Sequence, residues 1–207
     1  MAEGRFSYRF VKKLLYLFLR LYCRVEYAGR ENIPVSGPLV VAGNHSSYFD
    51  PFFISVGMRR VVRYMAIERF FRMPVIGWCM RIFGAFPVYQ QGVDKEAVAT
   101  AIDILEKGGT FGIFPEGGLS LDGKIRSPKL GMAMIAATVG VPILPVTISG
   151  SFTVFPKGKL FPRPRKVRVT FHPPVNAAKG SDKKELRDIS HHVMERIREG
   201  YEVDLKG

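Results

Sequence analysis

Short apolar runs, each closed by glycine or proline and followed by a segment of helical periodicity, set the architecture open to this chain. The run Leu39-Val40-Val41-Ala42 is apolar at every position and Gly43 ends it, the pattern of a strand buried on both faces. Residues 110–114 and 143–148 repeat that pattern, and residues 25–28, 61–66, 86–88 and 167–171 read as further strands. Between them stand segments with apolar residues three and four apart. These are residues 51–58, a stretch ending at Ile82, the run bearing Ala97, Val98, Ala101, Ile102 and Leu105, and residues 130–139. A last helix opens at Asp182 with Glu185 three residues on and turns Leu186, Ile189, Val193 and Ile197 inward. Strands alternating with helices through short connections predict an α/β fold, a single domain whose mixed, mostly parallel central sheet is flanked by helices. A chain of 207 residues suits one such domain, residues 25–207, preceded by an N-terminal helix over residues 1–24.

That first helix is unusual. Wound at about 100° per residue, residues 5–24 gather Arg5, Arg9, Lys12, Lys13, Arg20 and Arg24 into an arc of roughly 120°. Phe6, Phe10, Val11, Leu14, Leu15, Leu17, Phe18, Leu19 and Leu21 cover most of the remainder. A cationic stripe opposite a broad Phe/Leu face is the pattern of an amphipathic helix lying in the membrane interface. A helix packed on the domain with its cations in water shares the pattern, and a mixture of the two is open. Charge interrupts the segment too often for a bilayer span, which takes about 20 mostly apolar residues. No small-residue cleavage site follows Arg24, which argues against a secretory signal.

A net charge of +13 and a pI near 10.0 call for an acidic partner. Nucleic acid is the rival to an anionic membrane surface, but the chain shows no zinc finger, RNA-recognition aromatic motif or charged recognition helix. The expectation is no nucleic acid and peripheral or monotopic attachment to the cytoplasmic face of a membrane. Cys23 and Cys79 stand far apart, which suits a reducing compartment, and no His, Cys or carboxylate cluster has metal-ligand spacing, so no metal is expected. Nothing in the sequence sets an oligomeric state.

The chemistry-bearing segment is Asn44-His45-Ser46-Ser47-Tyr48-Phe49-Asp50-Pro51. A His and an Asp five apart lie roughly 140° apart on one regular helix and cannot face each other there. Across a strand-to-helix turn they can, and the carboxylate then holds one ring nitrogen while the other is free to take a hydroxyl proton. Asp50 before Pro51 also reads as an ordinary N-cap, so this segment alone leaves a structural role open. Of the four histidines, His191 and His192 fall on the charged last helix and His172 ends a late strand, which leaves His45 as the candidate base.

Phe114-Pro115-Glu116-Gly117-Gly118 is the second such segment, a carboxylate and two permissive glycines at the tip of a buried strand. The loop after it carries Asp122, Gly123, Lys124, Arg126 and Lys129, cations suited to a phosphate. Together these residues resemble the glycerolipid acyltransferase family, whose best-known members acylate lysophosphatidate. His45 to Asp50 matches its His-x-x-x-x-Asp motif and Phe114 to Gly117 its Phe-Pro-Glu-Gly motif. Val141-Pro142-Ile143-Leu144-Pro145-Val146 matches its late Val-Pro strand, and Gly84-Ala85-Phe86-Pro87-Val88 a further strand, over about residues 29–174.

The resemblance implies transfer of a fatty acyl group from an acyl thioester, acyl-CoA or acyl carrier protein, to the hydroxyl of a lysophospholipid, with no cofactor beyond that co-substrate. His45 and Asp50 are then catalytic, and Glu116, Gly117, Gly118, Arg126 and Lys129 form the substrate site, Glu116 either by hydrogen-bonding an acceptor hydroxyl or by holding a cation in place. 1-Acylglycerol-3-phosphate is the expected acceptor. Ser46 and Ser47 are the nearest candidates for a covalent route, and Phe52, Phe53, Phe70, Phe71 and Trp78 are candidates either for the acyl path or for plain core. The chain also departs from the family. Tyr89-Gln90-Gln91 stands where an Arg is usual, Gly118-Leu119-Ser120 replaces Thr-Arg-Ser, and Met65-Ala66 is followed by Ile67 rather than Lys. Lys124, Arg126 and Lys129, or Arg59, Arg60 and Arg63, are the available replacements. A different lysolipid acceptor, a thioesterase-type hydrolase and an inactive membrane- or nucleic-acid-binding relative are the alternatives.

Overall fold

A computed structural model describes residues 2–89, 94–159 and 161–206. Gln90 and Gln91 lie outside the described residues, as do the side chains of Arg5 and Phe6. One seven-stranded sheet organises the chain, in the order β1-β7-β6-β2-β5-β3-β4. Its strands are β1 (Glu26–Ala28), β2 (Leu39–Gly43), β3 (Val62–Ile67), β4 (Phe86–Val88), β5 (Thr110–Ile113), β6 (Ile143–Ser149) and β7 (Arg168–Phe171). The five strands from β6 to β4 run parallel, β7 pairs antiparallel to β6, and β1 follows β7 in parallel. The sheet is therefore mixed and mostly parallel. β2 is buried at every residue, because β5 and β6 pair on its two edges and helices cover both faces.

The helices are α1 (Ala2–Tyr22), α2 (Asp50–Gly57), α3 (Glu68–Phe71), α4 (Pro74–Ile82), α5 (Lys95–Glu106), α6 (Gly131–Val139) and α7 (Lys183–Lys206). Leu19 of α1 and Phe53 and Ile54 of α2 join Leu144 and Phe171 in the core on one face. Ala101 and Leu105 of α5, Met132 of α6, and Val193 and Ile197 of α7 join Phe111 on the other. Local sequence sets the ends of these helices. Asp94 accepts from Ala97 N–H at 2.9 Å to cap α5. Asp182 accepts from Glu185 N–H while Glu185 reaches back to Asp182 N–H, a reciprocal pair that opens α7. Gly140, at φ 79°, ends α6 in a left-handed cap closed by its N–H on Ala136 O. The short α3 interrupts the segment between β3 and α4.

α1 is apolar on two sides rather than one. Leu19 is fully buried and Tyr8 nearly so, against α2 and α4. Phe10, Leu14, Leu17, Phe18 and Leu21 form a second, outward ridge whose members are between 42% and 72% exposed. Exposed Arg9, Lys13 and Arg20 flank that ridge, whereas Lys12 turns inward and donates from Nζ to Met58 O at 2.5 Å. The helix stops at Tyr22, two residues short of the sequence expectation, and Arg24 takes a positive φ of 45° beyond it. No helix among the described residues is long and apolar enough to cross a membrane.

Candidate active site

In a parallel sheet the strands end together, so loops distant in sequence meet at one edge. β2 and β5 are neighbours, with Ala42 opposite Ile113. His45 lies two residues past the first strand and Glu116 three past the second, at the same edge of the sheet. The loops then lock together. His45 N–H donates to Glu116 Oε1 at 2.8 Å, and His45 O accepts from Ser120 N–H at 2.7 Å. Asn44 fixes the approach from the other side, its side chain donating to Ile148 O and accepting from Ile148 N–H on β6.

Asp50 does not cap α2, contrary to the sequence expectation. The amides that a cap would take, those of Phe52 and Phe53, donate instead to Phe49 O at 3.0 and 2.9 Å. Freed from that task, the carboxylate turns back to the preceding loop. Its Oδ2 lies 3.0 Å from His45 Nδ1 and accepts from Ser46 N–H and Ser47 N–H at 2.7 Å each. Asp50 is fully buried, and its Oδ1 has no protein donor among the described residues. The imidazole thus has one nitrogen committed to Asp50, while Nε2 has no protein partner among the described residues.

A ring stack holds the imidazole in plane. Phe114 lies parallel to His45, centroids 3.9 Å apart and planes inclined by 15°, and Tyr64 in turn stacks with Phe114 at 5.7 Å. Tyr64 fits only because residue 112 is glycine, since a Cβ there would lie 2.2 Å from its ring. Burial pushes the Tyr64 phenol far above the ordinary tyrosine range. Sequence reasoning missed these supporting roles of Asn44, Tyr64 and Phe114. The one available signal was that Asn44 and Phe114 are the first residues of the two motif segments.

The serines are structural. Ser46 Oγ pairs with Ser151 Oγ at 3.0 Å, and Ser47 Oγ donates to Phe155 O and accepts from Phe49 N–H. Neither hydroxyl bonds to His45, so the covalent route loses its nucleophile. Glu116 is buried, with its second oxygen accepting from Arg126 N–H at 3.0 Å and lying 3.6 Å from Arg126 Nε. With both oxygens engaged, its place is to hold loop and cation rather than to meet a hydroxyl.

Gly117, at φ 71°, lets the turn pass beneath Lys129, whose Nζ would lie 2.7 Å from a Cβ at that position. Arg126 donates from Nη2 to Gly118 O at 2.5 Å. Glu116, Gly117, Gly118, Arg126 and Lys129 are therefore one cluster beside His45. Arg60 and Arg63 are not part of it. Arg60 donates to Gly37 O, Pro34 O and Gly108 O, and Arg63 lies against Gly84 and Gly109, so both stand at the opposite end of the strands.

Aromatic side chains crowd the rest of the edge. Tyr48 meets Phe70 and Phe155, and Phe49 meets Phe52 and Phe155, all edge to face at 5.4–6.2 Å. Of the residues weighed for an acyl path, Phe53 is fully buried core and Trp78 is largely exposed. No group of three or more His, Cys, Asp or Glu that could hold a metal occurs among the described residues.

Residues 24–149 match the family model described as Acyltransferase. The chain is 29% identical to the 1-acyl-sn-glycerol-3-phosphate acyltransferase LPAT1 of Arabidopsis thaliana over 76% of this chain and 45% of that one. It is 29% identical to the 1-acyl-sn-glycerol-3-phosphate acyltransferase of Bacillus subtilis over 74% of this chain and 78% of that one. The crystal structure of the 1-acyl-sn-glycerophosphate acyltransferase PlsC from Thermotoga maritima superposes with a TM-score of 0.80 at 33% identity, covering 100% of this chain and 84% of that one. The chain spans about half the length of the plant and algal relatives it matches. With the His45–Asp50 pair and the Phe-Pro-Glu-Gly turn interlocked at one sheet edge inside the matched region, the chain belongs to the Acyltransferase family.

Proposed function

We propose that this protein transfers a fatty acyl group from an acyl thioester, on coenzyme A or acyl carrier protein, to the free hydroxyl of 1-acylglycerol-3-phosphate, giving phosphatidate. The observation that carries the reading is the imidazole with one nitrogen held at 3.0 Å by a buried carboxylate and the other open. The hydroxyl oxygen attacks the thioester carbonyl as His45 Nε2 takes its proton. Asp50 fixes the tautomer and stabilises the imidazolium. The tetrahedral adduct collapses, the C–S bond breaks, and His45 returns the proton to the departing thiolate. Gly117 N–H is spent on Phe114 O at 3.0 Å, which leaves Gly118 N–H as the donor of that turn for the oxyanion.

Arg126 and Lys129 are the acceptor's phosphate ligands in this reading. They stand in for the family cations replaced in this chain, Arg126 offering the forked geometry that suits phosphate. The aromatic cluster of Tyr48, Phe49, Phe52, Phe70 and Phe155 receives the acyl chain. The outward ridge of α1 lies in the interface, so a lipid acceptor reaches His45 without leaving the bilayer for water.

A mass-spectrometric screen of lysolipid acceptors with one acyl-CoA donor tests the assignment. Acylation of 1-acylglycerol-3-phosphate in preference to lysolipids without a phosphomonoester is the expected result. Free fatty acid released at the same rate with or without acceptor identifies a thioesterase instead.

A further inference from the structure

Where α1 crosses the C-terminal end of α2, a cavity of about 430 Å³ opens to the surface. Among the described residues five cations line it, Arg9, Lys12 and Lys13 of α1 with Arg30 and Arg59 of the domain, and no Asp or Glu does. Two of them have structural partners. Arg30 donates from Nε and Nη2 to Gly57 O at 3.1 and 2.7 Å, and Lys12 donates to Met58 O, so both cap the carbonyl end of α2. Arg9, Lys13 and Arg59 have no such partner, and none of the five is ion-paired among the described residues. Burial, with the Arg30 charge adding to it, pulls Lys12 down to about 8. An ammonium group desolvated among like charges with no anion beside it behaves this way.

Like charges gathered in a cavity favour an anion there. The rim indicates which kind. Arg9 and Lys13 each precede a member of the exposed apolar ridge, Phe10 and Leu14. An anion seated among the cations therefore has an apolar surface directly beside it. We propose that this cavity binds the phosphate of an anionic membrane phospholipid headgroup, as a second lipid site apart from the acyl-transfer centre. It rests on the reading of α1 as an interfacial helix. The site is distinct from the one that Arg126 and Lys129 form, because α2 begins at Asp50 and the cavity lies at its other end, about 10 Å along the helix axis. A lipid held there braces α1 against the helix that carries the catalytic carboxylate.

Flotation of the full chain with phosphatidylcholine vesicles, with and without phosphatidylglycerol, tests the site. Arg9→Gln/Arg59→Gln removes two cations that cap nothing. Lys184→Gln/Arg187→Gln removes two from α7, on the opposite face of the sheet. Affinity for the anionic vesicles should fall about tenfold or more in the cavity variant and stay within about twofold in the control. Inorganic phosphate should compete for the wild type more strongly than chloride at matched ionic strength. Equal losses in the two variants, or no competition by phosphate, overturn the proposal. Phosphate that protects the cavity arginines in solution while the cavity variant still floats like wild type assigns the site to free phosphate and overturns the lipid occupant. Phe10→Glu/Leu17→Glu separates the underlying reading. If that variant floats normally, the interfacial helix is wrong; if it fails to float while the cavity variant is unaffected, only the headgroup site is wrong.

Discussion

His45 and Phe114 lie face to face, ring centroids 3.9 Å apart and planes 15° from parallel. They come from different strand ends, so the contact exists only because β2 and β5 are paired and in register. Phe114 limits the tilt of the imidazole about the Nδ1–Asp50 hydrogen bond, and Tyr64 stacks with Phe114 in turn. Phe114→Leu should lower kcat by about tenfold, the scale of one aromatic pair, with little change in KM. Phe114→Tyr keeps the stack and should retain most of the rate. Steady-state kinetics on the two variants checks this, and a loss confined to KM would assign Phe114 to substrate binding instead.

Asp50 Oδ2 serves three donors, so Asp50→Asn should do two kinds of damage. The amide cannot accept from the ring and both serine amides as a carboxylate does, which should cost stability by about 1–3 kcal/mol. Loss of tautomer control should lower kcat by about 10²–10⁴-fold. Chemical denaturation and kinetics on one preparation measure both. A variant destabilised but fully active would reduce Asp50 to a structural residue.

The two loop cations should differ in kind. Arg126 is tied to Glu116 Oε2 and Gly118 O, whereas Lys129 lies over Gly117. Arg126→Lys should raise KM for the phosphate-bearing acceptor nearly as much as Arg126→Gln, about tenfold or more, because Lys lacks the fork. Lys129→Ala should raise KM without moving kcat. Unchanged KM in all three would place the phosphate elsewhere.

How far these residues were legible in the sequence follows from the range of the interactions involved. Strands closed by glycine, capped helices and the two motif segments are local patterns, and β2, β5, β6, α5, α6 and α7 fall within a few residues of their expected positions. Roles decided by partners that only the fold brings together were legible as alternatives. Asp50 reads both as an N-cap and as the partner of His45 until Phe49 O is seen to take the amides of Phe52 and Phe53. Glu116 reads as bonding an acceptor hydroxyl or as holding a cation until both its oxygens are found engaged by His45 N–H and the Arg126 backbone and side chain, which favours the second. Lys12 shares the cationic arc of α1 yet turns inward, because Met58 O at the end of α2 draws it there.

A half-buried histidine away from the site ties stability to pH. His172 Nε2 lies 2.8 Å from Thr147 Oγ1, whose own proton goes to Ile197 O, so the imidazole is the donor and ties the end of β7 to β6, while Thr147 ties β6 to α7. Burial lowers the His172 pKa below its ordinary 6.5, with Arg196 in the same sense and Asp204 and Glu199 opposing. The unfolded chain then binds this proton more readily, so the contribution is present above about pH 6.5 and is lost as pH falls below it. Melting temperature of the wild type should drop between about pH 7 and 5 more steeply than that of His172→Gln. Parallel curves would contradict the assignment.

The central claim is that the Nε2 nitrogen of His45 takes the acceptor's proton. The most direct measurement is single-turnover acyl transfer to 1-acylglycerol-3-phosphate by wild type and His45→Ala, with folding of both verified by circular dichroism and thermal melting. The account predicts an intact fold and a rate lowered by about 10²–10⁴-fold. A folded His45→Ala protein that transfers the acyl group at the wild-type rate would contradict it.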